Sequence, residues 1–265
     1  MMRALTLGLG AVLAVVVTFE HWVTTTDLPP LTPALSPEVL ARDGTLLRAY
    51  TVADGRWRLG VDAARVDPTY LAMLLAYEDH RFHDHRGVDP LALLRAGGQS
   101  LRAGRVVAGG STLTMQTARL LEDGPTGTMA GKLRQMRVAL ALERRLSKDD
   151  ILSLYLQHAP MGGNLEGLRA GAFAWAGREP VRLTEAQAAL LIALPQSPAR
   201  RQPDRAPDAA RAARDRVLAR AEAAGVITPD AARAARAEPV PRTRRPFPQD
   251  APHLADRLVS DGARL

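Results

Sequence analysis

The chain has 265 residues, 46% of them hydrophobic and 4% aromatic. That is enough for one large domain or two small ones, and a composition dominated by Ala and Arg suits helices. With no cysteine, disulfides, thiolate metal sites and Cys nucleophiles are excluded, and a net charge of +7 suits a partner that carries phosphate or is simply a solvated Arg-rich surface. So few aromatic residues argue against a single-strand nucleic-acid binder, and no nucleic-acid partner is expected.

Ala4 to Phe19 carries no charge and follows Arg3 and the amino terminus. Two readings compete. A cleaved signal peptide needs a small-x-small site after the apolar run, and TFEHW supplies none. An uncleaved anchor needs roughly 17–25 residues, which Trp22 and Val23 complete at the interface. Residues 1–23 are therefore read as a signal-anchor, a single transmembrane helix with the bulk of the chain exported. Residues 24–36 form a Pro/Thr linker. Apolar stretches flank Asp43-Gly44, and Asp54-Gly55 marks a second turn, so a small hairpin or three-strand element is expected.

From Pro68 onward the pattern turns helical. YLAMLLAYED ends at Glu78 and Asp79, and LALLRAGGQSLRAG is a second helix. Residues 104–114 read as a Gly/Ser/Thr-rich loop, and a long helix follows from about Lys132 to Leu146. Ser147 with Asp150 opens the next as a variant capping box, and Thr184 with Gln187 forms a better one before AALLIAL. Asp208 to Ala224 is an Arg/Ala helix stopped by Gly225. Thr228-Pro229-Asp230 starts the last, with Pro at the first helical position. Residues 239–252 are Pro-rich and read as a linker. No internal repeat is present. The expectation is a mostly α domain over residues 37–238 with a small β element at its entry, and a Pro-rich tail over 239–265.

Three stretches carry chemistry. In EDHRFHDHRGVDP (78–90), two acids end a helix and are followed by His residues. One reading is a metal site of His80, His83, His85 and Asp84, although Gly87 and Pro90 argue that the helix has ended. A second is a polar helix terminus. A third is a general base at a cleft mouth. GGSTLTMQTARLL (109–121) combines glycines that let backbone approach a ligand with hydroxyls, an amide and Arg119 ahead of a helix. It is either an anion or sugar site or an ordinary loop with Ser111 as N-cap. In GKLRQMRVALALERRLSKDDILSLYLQ (131–157), Lys132 and Arg134 either face a polyanion or form a solvated basic face.

EDHRFHDHRG, GGSTLTMQ, KLRQ and SKDDILSLYLQ, in this order and spacing, resemble the glycosyltransferase family 51 domain of class A penicillin-binding proteins. APMGGNLEGLRAGAFAWAGR, LTEAQAALLIALPQSP and RRQPDRAPDAARAARDRVLAR resemble its penicillin-binding protein 1C branch. The likeness covers about residues 37–257. It implies a mainly α, lysozyme-like fold with two lobes. It also implies an enzyme at the cytoplasmic membrane, its catalytic domain outside, that joins lipid II into β-1,4-linked glycan and releases undecaprenyl pyrophosphate. The catalytic Glu falls on Glu78. Asp79, Phe82, His85 and Gly87 complete the first motif. Gly110, Ser111, Thr112, Thr114 and Gln116 form the second, with the phosphate-contacting Arg119 after it. The third-motif Lys falls on Lys132 and its terminal position on Gln135.

A divalent metal, Mg or Mn, is implied without assigned ligands, and no organic cofactor is expected. Implied partners are lipid II, the growing glycan, the membrane and other cell-wall synthesis proteins. Three departures stand out. Met115-Gln116 replaces Gln-Gln, Gln135 replaces Glu, and Tyr155-Leu156-Gln157 replaces Tyr-Leu-Asn. The second removes a carboxylate often counted as catalytic, with Glu143 and Glu166 as substitutes to weigh. DAPHLADRLVSDGARL stands where a transpeptidase domain would begin, and no Ser-x-x-Lys for an acyl-enzyme occurs. A lytic lysozyme-like glycosidase and a non-catalytic lipid-binding scaffold are the alternatives.

Overall fold

The computed structural model describes residues 2–104, 109–122 and 128–260, with the side chains of the first helix described from Gly10 onward. In chain order the elements are α1 (Met2–Thr24), β1 (Glu38–Leu40), β2 (Leu46–Ala49), β3 (Trp57–Arg58), α2 (Pro68–Glu78), α3 (Pro90–Ala103), α4 (Leu113–Glu122), α5 (Met129–Arg145) and α6 (Lys148–His158). They continue with β4 (Pro160–Gly162), β5 (Leu165–Glu166), α7 (Leu168–Ala176), α8 (Glu185–Ala193), α9 (Pro207–Ala223), α10 (Pro229–Ala237) and α11 (Pro252–Ser260). The fold is mainly helical, as the sequence predicts. Contacts divide the chain into two units, Met1–Leu31 with His83–Ile151, and Thr32–Phe82 with Leu152–Leu265.

In the first unit, α4 packs on α5. Leu113, Met115, Ala118, Val138, Ala139 and Leu142 are all fully buried there, each Leu or Met contributing about 1.5–3 kcal/mol of transfer free energy. Local chemistry sets the helix ends. Asp89 caps α3 through Leu91 N–H, and Gly104 ends it in the left-handed region at φ 60°. The cap of α4 is Thr112, whose hydroxyl accepts from Met115 N–H at 3.1 Å. Ser111, the cap in one sequence reading, instead accepts from Lys132. Thr128 caps α5, so that helix starts ahead of Lys132. Residues 105–108 of the anticipated loop lie outside the described residues.

The C-terminal end of α1 docks on α5. Arg137 lies 4.9 Å from the Trp22 ring centroid, and Arg144 pairs with Glu20 at 2.6 Å. Arg145 donates to the carbonyls of Thr24 and Thr26, both at 3.0 Å, cations where a helix dipole is negative. Upstream, Val12, Leu13, Val15, Val16 and Val17 are exposed. Among the described residues, no helix is long and apolar enough to cross a membrane.

In the second unit, β1 and β2 form the antiparallel hairpin expected around Asp43-Gly44. The third strand goes elsewhere. β3 pairs in parallel with β5, and β5 pairs antiparallel with β4. Glu166 of β5 holds this sheet at its core. It accepts from Arg58 at 2.7 Å twice, from Arg56 at 2.9 Å, and lies 3.1 Å from His158 Nδ1. Burial raises the carboxyl's pKa, and the hydrogen bonds from His158, Arg58 and Arg56 outweigh that and hold it well below the usual carboxylate range. The helical core sets α8 against α9, with α2 on both. Thr184 and Gln187 close the predicted capping box of α8.

The Pro-rich stretch expected to be a free linker is a packed strap. Phe247 stacks on Trp57 with ring centroids 4.1 Å apart, and Val240 joins a buried cluster with Leu190 and Ala210. Arg245 N–H donates to Ala174 O at 2.8 Å and Asp250 N–H to Leu47 O at 2.9 Å. The strap leads into α11, where Asp256 accepts from Tyr50 at 2.6 Å. Proline composition resembles a linker, but the apolar anchors between the prolines each find a buried seat.

Candidate active site

The acid pair belongs to the second unit. Asp67 caps α2, and Glu78 is its last residue. Asp79 is the C-cap, its N–H donating to Leu75 O at 2.9 Å. Asp79 is buried and Glu78 half-buried. Phe82 N–H donates to Asp79 O at 3.0 Å, and the Phe82 ring is buried. One Glu78 oxygen accepts from Gln196 Nε2 at 2.9 Å. Gln196 lies in the short 3-10 turn Leu194–Gln196 that follows α8. No periodicity in the sequence marks it.

The remaining candidates belong to the first unit. Lys132, on the first turn of α5, donates to the Ser111 hydroxyl. Burial and the adjacent positive charge of Arg119 both pull the Lys132 pKa below its ordinary value. The unit thus holds an ammonium and a guanidinium close together, beside a hydroxyl, which is a setting for an anion. Gln116 on α4 is partly exposed, and Gln135 shares the Lys132 face of α5 three residues on. A Cβ on Gly110 would come 3.1 Å from Leu93 Cδ2, so that residue fits closely against α3.

A buried polar network holds the segment around His85 in the same unit. Thr112 donates to Gly87 O at 2.5 Å. Thr114 donates to Glu143 at 2.8 Å, and Lys148 donates to Glu143 at 2.7 Å and to His85 O at 2.6 Å. Gly87 has φ +87°, and a Cβ there would meet Ala139 O at 2.7 Å, so both backbone angle and space require glycine. Thr112, Thr114 and His85 are buried. Their hydrogen bonds explain the close docking of this segment on α4 and α5. Sequence reasoning missed the role of Lys148 and treated Glu143 only as a possible spare acid.

Glu166, the other spare acid, is engaged in the β-sheet ion network described above. The departure at Gln157 also has a local reason. Its amide donates to Leu59 O and accepts from Val61 N–H, both at 3.0 Å, pinning the end of β3 to α6. His80, His83 and Asp84 are exposed while His85 is buried. Among the described residues no group of three His, Asp or Glu could hold a metal ion. No step below runs through a metal.

A family model described as Transglycosylase matches residues 43–222. Over 221 residues the chain is 48% identical to penicillin-binding protein 1C of Escherichia coli strain K12, covering 83% of this chain and 28% of that protein. It is 35% identical to penicillin-binding protein 1A of Aquifex aeolicus strain VF5, covering 75% of this chain and 27% of that protein. The chain therefore spans between a quarter and a third of the length of these relatives. A 2.6 Å crystal structure of penicillin-binding protein 1A from Haemophilus influenzae matches 89% of this chain and 24% of its own, at 17% identity and a TM-score of 0.44.

Proposed function

Because the chain belongs to the transglycosylase family, we propose that it polymerises lipid II into β-1,4-linked glycan strands and releases undecaprenyl pyrophosphate. The observation that carries this reading is the pairing of half-buried Lys132 with Arg119 beside Ser111. Two like charges held together disfavour each other unless an anion lies against them. A neutral glycan has no such group, and a lipid-linked pyrophosphate does.

In this reading Glu78 takes the proton from the acceptor sugar's 4-hydroxyl. The freed oxygen attacks the anomeric carbon of the donor, the bond to pyrophosphate breaks, and the configuration inverts from α to β. Arg119 and Lys132 neutralise the leaving pyrophosphate. Asp79 and Phe82 fix the end of α2 that presents Glu78. Thr112 and Thr114 hold the segment around His85 and Gly87, and Gln116 and Gln135 line the sugar path. A pyrophosphate leaves as a stabilised anion, so a single carboxylate suffices, and Gln135 need not be an acid. The apolar run of residues 4–23 anchors the chain in the cytoplasmic membrane as a single-pass segment, with the catalytic part outside.

Incubating the full chain with lipid II and sizing the products tests the proposal. Glycan strands released with undecaprenyl pyrophosphate are the expected result. Cleavage of preformed glycan without polymerisation, or lipid binding without turnover, would overturn it.

A further inference from the structure

We propose that Gln196 is a positioning residue for Glu78, held by Arg201 so that only its amide N–H faces the carboxylate; this rests on Glu78 being the base. A glutamine amide has one accepting end and one donating end. Arg201 Nη1 sits 2.9 Å from Gln196 Oε1 and also donates to Ala193 O at 2.8 Å. A guanidinium has no acceptor, so the amide oxygen must be the end that meets it. Tyr77 OH adds a second, longer contact to the same oxygen at 3.4 Å, and Arg220 lies 5.9 Å from the Tyr77 ring centroid. With the oxygen committed, the NH2 group is turned to Glu78 Oε1 at 2.9 Å. The orientation follows from donor chemistry alone.

Gln196 is exposed, so without Arg201 its amide would rotate freely between water and the carboxylate. Held, it supplies a charge-assisted hydrogen bond to one oxygen of Glu78. That bond limits rotation of the carboxylate about its last two bonds and so sets the direction of the other oxygen. Proton abstraction depends steeply on that direction, because reacting atoms must lie within hydrogen-bond reach in a near-attack geometry. Tyr77, Glu78, Gln196 and Arg201 all belong to the second unit, so the device is complete within it.

Steady-state polymerisation of lipid II by the full chain, with melting temperature measured alongside, tests the idea. Gln196→Glu keeps the shape and the acceptor for Arg201 but sets a like charge against Glu78. It is expected to lower kcat about 10- to 100-fold, the equivalent of one charged hydrogen bond, with KM and melting temperature unchanged. Gln196→Met is expected to lose less, since it removes the donor without adding repulsion. Arg201→Met is expected to lower kcat in the same way, and Arg201→Lys to restore much of it. Wild-type kcat in both Gln196 variants would overturn the positioning role. So would a rise in KM with kcat unchanged, which would mean that Gln196 touches substrate. Glu78→Gln separates the two levels. If it is inactive while the Gln196 variants match wild type, only this inference falls; if Glu78→Gln itself turns over normally, the base assignment falls first.

Discussion

Replacing Glu143 separates two explanations of a buried carboxylate that could be either a structural acceptor or a spare catalytic acid. As the structure has it, Glu143 is a structural hub. It accepts from Thr114 at 2.8 Å and Lys148 at 2.7 Å, and its side chain is 6% exposed against 21% for Lys148. Glu143→Ala takes the acceptor from the Thr114 hydroxyl and a carboxylate partner from the Lys148 ammonium, which keeps its bond to His85 O. Breaking such a pair costs about 3–5 kcal/mol, much of the 5–15 kcal/mol, roughly, by which a domain is stable. For a chain of this size that is a fall of about 10 °C in melting temperature. Changing both partners, as Glu143→Leu with Lys148→Met, removes the stranded charge and should recover most of the loss. Scanning calorimetry and lipid II polymerisation, run together, read both quantities. If Glu143 acts only through the fold, activity per folded molecule returns in the double variant. A double variant that is stable yet inactive would refute the reasoning and make Glu143 the second catalytic carboxylate.

Glu78→Gln should reduce turnover by about 10²–10⁴-fold, the usual cost of a general base, while Gln135→Ala should cost far less; equal losses in steady-state rate would end the single-carboxylate reading. Lys132→Met should abolish polymerisation without lowering the melting temperature. Its folded pKa is depressed, so protonated Lys132 opposes folding at neutral pH and its removal relieves the fold. Glu166→Gln should destabilise the fold by about 3 kcal/mol at pH 7, because it leaves buried Arg58 with only the longer pair to Asp54 at 3.4 Å. The depressed Glu166 pKa contributes stability above the ordinary value of 4.5 and loses it as the pH falls below that value. Wild-type and variant melting temperatures should therefore converge in acid. Fluorescent penicillin should leave no covalent label on these 265 residues, which contain no Ser-x-x-Lys; a labelled band on a gel would contradict this.

Features that depend on neighbours in sequence were legible. Ser147 and Asp150 exchange hydrogen bonds at 3.1 and 3.0 Å, and their three-residue spacing announces it. Ser111, Arg119 and Lys132 sit in recognisable local motifs, and the structure brings Lys132 onto Ser111 with Arg119 beside it. Features that join distant segments were not. Gln196 meets Glu78 across 118 positions, and nothing local to LPQSP points there. Every residue of α7 except Arg169 is buried, so it shows no amphipathic stripe to read. The strap was misread because prolines dominate its composition while Val240 and Phe247, its only strong apolar anchors, find their seats through tertiary packing.

The strap also dictates when the second unit can finish folding. Tyr50 reaches Asp256 across 206 positions, and Trp57 stacks on the distant Phe247. Such non-local closures are slow, because the entropy of a long loop must be lost before any contact rewards it. During synthesis the hairpin of β1 and β2 and the indole of Trp57 emerge early. They stay uncovered until the strap and Asp256 have left the ribosome. A ribosome paused near residue 222, where the family match ends, would hold a nascent chain with an open strand edge and a bare aromatic face. Binding by a general chaperone should peak in that interval and end once the strap has emerged.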